Sequence, residues 1–125
     1  MFLLDTNIFL EMLLAQDKQE DCRKFILNNS QKCFFSDFTL YSIGIALFRK
    51  KLFDEYSTFY NDITSIVRMI SLPAQLQNQL TSSARKLKLD YDDAYQYEVA
   101  KHYDLKIVTM DKDFKAVKDV SVLFL

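Results

Sequence analysis

The segment FLLDTN, at residues 2–7, combines a strand-like apolar run with a group of polar residues. Three apolar residues run directly into an aspartate, a threonine and an asparagine, and a second apolar stretch, IFLEMLL, follows at residues 8–14. A parallel strand that is buried on both faces has such a continuous apolar run, and ligand sites in these folds lie at the carboxyl ends of the strands. Asp, Thr and Asn are also ordinary helix N-caps. From this stretch alone, Asp5 is either a cap or a site residue.

Length and composition indicate one helix-rich domain that spans residues 1–125. The chain has 125 residues and half of them are hydrophobic, which is enough for one buried core and excludes a disordered chain. It contains one glycine, Gly44, and one proline, Pro73. This scarcity favours helices joined by short turns, and it rules out the glycine-rich loops that bind dinucleotides or nucleotide phosphates.

The net charge, the cysteines and the apolar runs of the chain limit the class and the compartment of the protein. The formal net charge is −1, so no overall basic field predicts a nucleic-acid binder. Cys22 and Cys33 form neither a C-x-x-C pair nor a zinc-binding set, and we expect both to be buried thiols in a reducing compartment. The first apolar run lacks a preceding basic segment, and no run is long enough to cross a membrane. We therefore expect a cytoplasmic localisation and no membrane partner.

The hydrophobic pattern alternates between strands and helices along the whole chain. Apolar, β-prone stretches predict strands at residues 2–4, 33–35, 66–72, 106–110 and 121–125, the third of which is interrupted by Arg68. Helical patterns lie at residues 8–15, 18–28, 38–50, 52–64, 74–87 and 92–103, with a short one near residues 113–118. Strands separated by helices imply right-handed crossovers and a mainly parallel sheet. The sequence therefore predicts a three-layer α/β/α sandwich with four to five strands.

Carboxylates from three distant segments should meet at one edge of this sheet. Asp5 ends the first strand, and Asp111 and Asp113 follow the fourth. Asp92 and Asp93 open a helix, where the helix dipole favours an ionised carboxylate. One such acid is usually a cap, but three separate ones are harder to explain as caps alone. Carboxylate oxygens without His or Cys partners suit Mg²⁺ or Mn²⁺ better than zinc.

Other hydrolytic mechanisms fit the sequence poorly. His102 is the only histidine, and its position near the far end of its helix predicts a surface residue and not a member of a catalytic triad. A phosphatase of the haloacid-dehalogenase type needs a second aspartate two residues after the first, where this chain has Asn7. A metal-dependent reaction therefore remains the best chemical interpretation of the acids.

Three sequence segments together resemble the PIN-domain nucleases, specifically the small toxins of the VapC type. They are LLDTN at residues 3–7, SDFTLYS at residues 36–42 and LDYDDAYQYEVAKHYDLKIVTMDKDF at residues 89–114. With their spacing, they extend the resemblance over essentially the whole chain. The resemblance implies a parallel sheet between helix layers, in agreement with the pattern above. It also implies an endoribonuclease in which four acidic residues surround Mg²⁺ or Mn²⁺ and the substrate is RNA.

The motifs of this family assign roles to individual residues of the chain. Asp5, Asp93 and Asp111 match the first, third and fourth acids, and Asp113 is the neighbour that commonly accompanies the last. The second acid would be a glutamate in the pattern S-x-x-T-x-x-E, but Ser42 occupies that position. Possible substitutes are Glu11, Asp37, Asp92 and Asp113. Residues expected to orient the carboxylates or to contact substrate phosphates are Thr6, Asn7, Gln96 and Thr109.

The resemblance also implies protein partners. A toxin of this type has an antitoxin that lies along an apolar groove, which the aromatic segments FTLYSIGIALF at 38–48 and FDEYSTFY at 53–60 could form. A homodimer is implied by the resemblance only. Because Ser42 replaces an acid, a second hypothesis remains open: a PIN fold that has lost catalysis and serves as a binding module.

Overall fold

A single parallel sheet organises the chain. The computed structural model describes all residues from 1 to 125. Its five strands are β1 (Phe2–Leu4), β2 (Cys33–Ser36), β3 (Arg68–Ile70), β4 (Lys106–Thr109) and β5 (Val122–Phe124). They lie in the order β3-β2-β1-β4-β5, and every neighbouring pair is parallel. The predicted α/β fold with a parallel sheet is therefore confirmed.

Six α-helices connect and cover the strands. They are α1 (Thr6–Leu13), α2 (Gln19–Asn29), α3 (Asp37–Arg49), α4 (Phe53–Ile66), α5 (Gln79–Leu87) and α6 (Tyr91–Tyr103). Three short 3-10 turns cover Ser30–Lys32, Ala74–Leu76 and Lys112–Ala116. No helix combines the length and the apolar character that a membrane-spanning segment requires.

The structure corrects three predicted element boundaries. The strand predicted at residues 66–72 is only three residues long, because α4 continues to Ile66 and the strand lies at the sheet edge, where Arg68 and Met69 are exposed. The helix predicted at residues 74–87 begins as a 3-10 turn after Pro73, and its α-helical part starts only at Gln79. The short helix near residues 113–118 is a 3-10 turn that Asp111 caps by accepting from the Asp113 N–H.

Two hydrophobic cores cover the two faces of the sheet. Adjacent strand residues point to opposite faces, so Leu3 and Ile107 pack with α5 and α6, whereas Leu4 and Val108 pack with α1 to α4. All four of these strand side chains are fully buried. The helices thus form one layer on each side of the sheet, which completes the predicted three-layer sandwich. Cys22 and Cys33 are buried and unpaired, as predicted.

The strand order places a crevice at the carboxyl edge of the sheet. From β1 the chain moves to β2 on one side, and later returns to β4 on the other side of β1. Ligand sites of parallel sheets lie at such a point, because the connections leave the edge in opposite directions. The Asp5 N–H donates to the Val108 carbonyl at 2.9 Å, which continues the β1–β4 pairing to the mouth of this crevice.

Candidate metal centre

A cleft of about 280 Å³ opens at this edge of the sheet. Residues from the end of β1, from α1, α3 and α6 and from the segment after β4 line it: Asp5, Thr6, Asn7, Leu10, Phe38, Ser42, Asp92, Asp93, Gln96 and Asp111. Of the four acids predicted as metal ligands, Asp5, Asp93 and Asp111 therefore line one cleft, whereas Asp113 does not line it. The predicted contact residues Thr6, Asn7 and Gln96 lie there too.

Asp5 forms the buried floor of the cleft and is only 6% exposed. Its Oδ1 accepts from the Thr6 N–H at 2.8 Å and from Gln96 Nε2 at 3.2 Å. Its Oδ2 accepts from Thr109 Oγ1 at 2.7 Å and from Asn7 Nδ2 at 3.0 Å. Burial raises the pKa of Asp5, while the bonds from Thr109, Thr6 and Gln96 act in the opposite direction because they favour the charged form.

Gln96 connects this floor to α3. Its Nε2 also donates to Thr39 Oγ1 at 2.8 Å, and the Thr39 hydroxyl lies 3.0 Å from that of Thr6. The Gln96 side chain is buried, and its Oε1 has no hydrogen-bond partner. The amide nitrogen donates to both Asp5 and Thr39, and the amide oxygen on the other side is left without a donor. Gln96 therefore links α6 to the starts of α1 and α3.

Asn7 and Thr109 fix the segment that carries Asp111. Asn7 Nδ2 donates to Thr109 Oγ1 at 3.1 Å, and Asn7 Oδ1 accepts from the Met110 N–H at 3.2 Å. The Asp111 N–H in turn donates to Thr109 Oγ1 at 2.9 Å. Thr109 is fully buried, so its hydroxyl orients Asp5 and Asp111 and does not reach the surface of the cleft.

Three carboxylates form the tightest group of possible metal ligands. Asp93, Asp111 and Asp113 each offer an oxygen, and these oxygens lie within 4.8 Å of one another. Asp93 is buried, whereas Asp113 is exposed. Burial and then the charges of Asp92, Asp111, Asp5 and Asp113 raise the pKa of Asp93 to about 7. Such an all-oxygen donor set fits Mg²⁺ or Mn²⁺, whose charge would offset this repulsion.

The raised pKa of Asp93 predicts that the metal-free protein loses stability as the pH rises. The folded state retains the Asp93 proton up to about pH 7, whereas the unfolded state loses it near the ordinary value of 3.8. The free energy of unfolding should therefore fall between about pH 4 and pH 7 and then level off. In chelator, Asp93→Asn should raise the melting temperature by on the order of a few degrees at pH 8, but not at pH 4.

Thermal melts across this pH range, with and without Mn²⁺, provide the measurement. Asp62→Asn is the control, since Asp62 is an exposed acid on α4 away from the cleft. Saturating Mn²⁺ should remove the advantage of Asp93→Asn, because the ion stabilises only the wild type. Equal gains in the two variants would show that the carboxylates around Asp93 do not repel one another.

Two of the four possible substitutes for the missing second acid lie outside the cleft. Asp37 accepts from the Tyr95 hydroxyl at 2.7 Å, and Glu11 accepts from the Lys18 N–H at 2.8 Å. Neither side chain lines the cleft, because each is held by a local or tertiary partner. Asp92 does line it, and Asp113 joins the carboxylate cluster. Ser42 also lines the cleft, so the position expected for the second acid faces the site.

Thr39 and Phe38 are site residues that the sequence reasoning missed. The pattern S-x-x-T places Thr39 three residues after the N-cap Ser36, whose Oγ accepts from the Thr39 N–H at 3.1 Å. That spacing predicted a helix start, but not the contacts of the Thr39 hydroxyl with Thr6 and Gln96.

His102 lies outside the cleft, as predicted, with its ring against that of Tyr103.

Solved structures with the same fold include several toxins. A toxin-antitoxin complex from Klebsiella pneumoniae matches with a TM-score of 0.79 at 18% identity, over 98% of this chain and 96% of that chain. VapBC2 from Rickettsia felis, bound to a DNA fragment from its promoter, matches with a TM-score of 0.82 at 14% identity, over 98% and 97%. Mycobacterium tuberculosis VapC20, a sarcin-ricin loop cleaving toxin, matches with a TM-score of 0.81 at 17% identity, over 98% of both chains.

Sequence comparison assigns the family. No curated protein sequence matches the chain significantly. The family description of the PIN domain matches residues 2–120, which is nearly the whole chain and includes all the acids of the cleft. The chain therefore belongs to the PIN-domain family.

Proposed function

We propose that this protein is a metal-dependent endoribonuclease that hydrolyses RNA phosphodiesters. The observation that carries the proposal is the cluster of Asp93, Asp111 and Asp113 beside the buried Asp5. Membership of the PIN-domain family supports it, since this family includes nucleases. The likeness to VapC20, a toxin that cleaves the sarcin-ricin loop, is consistent with RNA as the substrate class.

The residues of the cleft divide into ligands and residues that hold them. Asp93, Asp111 and Asp113 would bind the ion, with Asp5 as a further ligand in place of its longest hydrogen bond, the 3.2 Å bond from Gln96. When bound, a divalent ion activates water and neutralises charge on the phosphate. Asn7 and Thr109 keep the Asp5 carboxylate and the backbone at Asp111 in place through the bonds described above. Thr6 and Asn7 also line the cleft, where they could contact a phosphate.

Cleavage of a labelled single-stranded RNA by the purified protein tests this proposal. Mn²⁺ or Mg²⁺ should support cleavage, chelator should stop it, and restored Mn²⁺ should return it, because the carboxylates alone repel the phosphate and cannot activate water. Activity that persists in chelator would exclude a metal-dependent nuclease. Absence of cleavage with either ion would favour the second candidate, a PIN-fold binding module, which the neutral Ser42 also supports.

A toxin of this kind would require an antitoxin, and an apolar groove offers a place for it. The groove has a volume of about 590 Å³ and lies between α1, α2 and α4. Its apolar lining is Met12, Leu13, Ile26, Leu27, Phe59, Ile63 and Ile66. Asp54, Glu55 and Asp62 give the rim a mainly acidic character, with Arg23 as the one cation. This surface suits an amphipathic helix with basic flanks, and the antitoxin complexes among the structural neighbours support such a partner.

Leu27→Glu should weaken antitoxin binding by about tenfold or more, since it places a charge on the apolar surface of the groove. Leu27 is 64% exposed, so the substitution should leave the fold intact. Calorimetric titration with a synthetic amphipathic helix that carries basic residues at its flanks measures the effect. Met69→Glu is the control, because Met69 is exposed on β3 and does not line the groove. Equal affinities for the two variants would show that the antitoxin does not bind in this groove.

The aromatic segments predicted to form the antitoxin groove contribute unequally to it. Phe59 of the second segment lines the groove, but no residue of the first segment does. Tyr41, Ile45 and Phe48 of the first segment instead point outward with Tyr56 on a separate apolar face of α3 and α4. We assign this face to the second subunit of the proposed homodimer.

A further inference from the structure

Two aromatic rings meet where α3 and α6 begin, and one of them lines the cleft. Phe38 lines the cleft, and its ring centroid lies 6.0 Å from that of Tyr91, the first residue of α6. On its inner side the Phe38 ring packs against Tyr95, with the centroids 5.6 Å apart. Phe38 is therefore fixed from behind, while the Tyr91 side of the pair faces solvent.

Tyr91 differs from the other tyrosines of the same helix segment. Tyr95 and Tyr97 are buried, and their hydroxyls donate to Asp37 and Asp119. Tyr91 is 61% exposed, and its hydroxyl makes no hydrogen bond within the protein. Its next neighbours in the chain, Asp92 and Asp93, line the cleft. Because neighbouring residues on a helix point in different directions, the Tyr91 ring is placed beside the cleft by its contact with Phe38, which lines it, and not by the chain order.

An exposed aromatic ring beside the cleft can stack with a base of an RNA strand that occupies the cleft. Single-stranded RNA is bound largely by stacking of its splayed bases on aromatic side chains, which tolerates any base. The cleft itself carries mostly negative charge, so it attracts the phosphate only through a bound cation. Stacking involves no net charge, and it would hold the strand beside the cleft without adding to the repulsion.

We propose that Tyr91, supported by Phe38, forms a nucleobase-stacking subsite for single-stranded RNA beside the carboxylate cleft. The inference rests on the proposed ribonuclease function, because the stacked base belongs to the strand whose phosphate enters the cleft. The subsite contributes to binding of the substrate and leaves the hydrolytic step to the acids. It places the aromatic contact on α6, immediately before the acids that are expected to bind the ion.

The kinetic test compares three substitutions at one position. Tyr91→Ala should raise KM for a single-stranded RNA by about tenfold and change kcat much less, because one stacked base is lost. Tyr91→Phe should behave as the wild type, since it keeps the ring, and Tyr91→Leu should resemble Tyr91→Ala, since it is apolar without a ring. Circular dichroism and melting temperature verify the fold of each variant.

A fluorescence test reports the contact directly. The chain contains no tryptophan, so Tyr91→Trp introduces a single reporter beside Phe38. Tyr103→Trp is the control, because Tyr103 is 41% exposed at the opposite end of α6 and does not line the cleft. An oligonucleotide of adenosines should quench the first reporter and not the second. An abasic strand of the same length should quench neither.

The outcomes separate this inference from the function on which it rests. If the wild type cleaves RNA with Mn²⁺ but Tyr91→Ala has an unchanged KM, the subsite is wrong and the nuclease stands. Quenching of Tyr91→Trp by the abasic strand would also overturn it, since the contact would then be to the backbone. If the wild type does not cleave RNA with any divalent ion, the proposed function fails and the subsite fails with it.

Discussion

Asp93→Asn should abolish Mn²⁺ binding and reduce RNA cleavage by on the order of 100-fold or more, since residues that merely orient metal ligands already cost about 10- to 100-fold. Asp93 is buried, and it belongs to the only cluster of three carboxylates whose oxygens lie within 4.8 Å of one another. The amide removes the negative charge while it keeps the size of the side chain. Calorimetric titration with Mn²⁺ and cleavage of a labelled RNA measure the two losses.

Asp90→Asn is the matched control for this prediction. Asp90 precedes α6 as its N-cap residue, is exposed, and accepts no capping hydrogen bond through its side chain. Its replacement removes one negative charge three residues from Asp93 and leaves the cluster intact. Equal loss of Mn²⁺ binding in both variants would mean that only the general negative field attracts the ion. Undiminished binding in Asp93→Asn would remove the ion from this cluster.

Asp5→Asn and Asp93→Asn should change the melting temperature in opposite directions, although both remove a buried acid. The two oxygens of Asp5 accept four hydrogen bonds, from Thr6, Gln96, Thr109 and Asn7. An amide NH₂ in that place would direct donors at donors, so we expect a lower melting temperature as well as lost activity. Asp93→Asn should instead melt higher than the wild type in chelator near neutral pH. The opposite signs separate the acid that organises the site from the acid whose charge is costly without an ion.

The sequence predicted the acids at the cleft because their positions follow from topology. A continuous apolar run that ends in Asp5, and another that precedes Asp111, put both residues at the carboxyl edge once the strands are parallel and adjacent. The position of Asp93 at a helix start could be predicted from the local sequence pattern of α6 alone. These inferences use the hydrophobic periodicity of the sequence and the order of its strands and helices, and a single sequence contains both.

Side-chain partners across long sequence separations could not be predicted in the same way. Asp37 is a possible substitute acid in the sequence, but in the structure it accepts from the hydroxyl of Tyr95, 58 residues later, and does not line the cleft. The Thr39 hydroxyl meets Gln96 across a separation of 57 residues. No local pattern specifies such contacts, since they depend on how α3 and α6 pack. The same holds for Asp92, whose place at the cleft depends on the rotation of α6 about its axis.

The structure brings more acids to the site than the family pattern assigns, and this changes its formal charge. With only Asp5, Asp93 and Asp111 the site would carry −3, but Asp92 also lines the cleft and Asp113 joins the cluster. Negative charge is therefore not what the site lacks. All the carboxylates of the cluster come from α6 and from the segment after β4, whereas α3 contributes only Ser42 and Phe38 to the cleft. In the proposed metal centre, the wall formed by α3 therefore supplies no carboxylate.

Ser42→Glu should supply a carboxylate from α3, tighten Mn²⁺ binding and raise RNA cleavage at low Mn²⁺ by about tenfold, in proportion to a gain of one charge-assisted contact. The gain should shrink as Mn²⁺ approaches saturation, because the wild-type cluster then fills as well. Without the ion, the added charge increases the repulsion that already raises the pKa of Asp93 to about 7. Ser42→Glu should therefore melt lower than the wild type in chelator and higher in Mn²⁺.

Two further variants serve as controls for these measurements. Ser42→Gln has the length of glutamate without its charge, and it should show neither the gain in cleavage nor the reversal of the melting temperatures. Ser42→Glu/Asp93→Asn should lose the gain, because a ligand on α3 has nothing to complete once the cluster is broken. If Ser42→Glu binds Mn²⁺ no more tightly than the wild type, the cleft side of α3 is not part of the metal centre. If the wild type is inert while Ser42→Glu cleaves RNA, the loss of one ligand on α3 is what separates this chain from an active nuclease, and the binding-module hypothesis then describes the natural protein better.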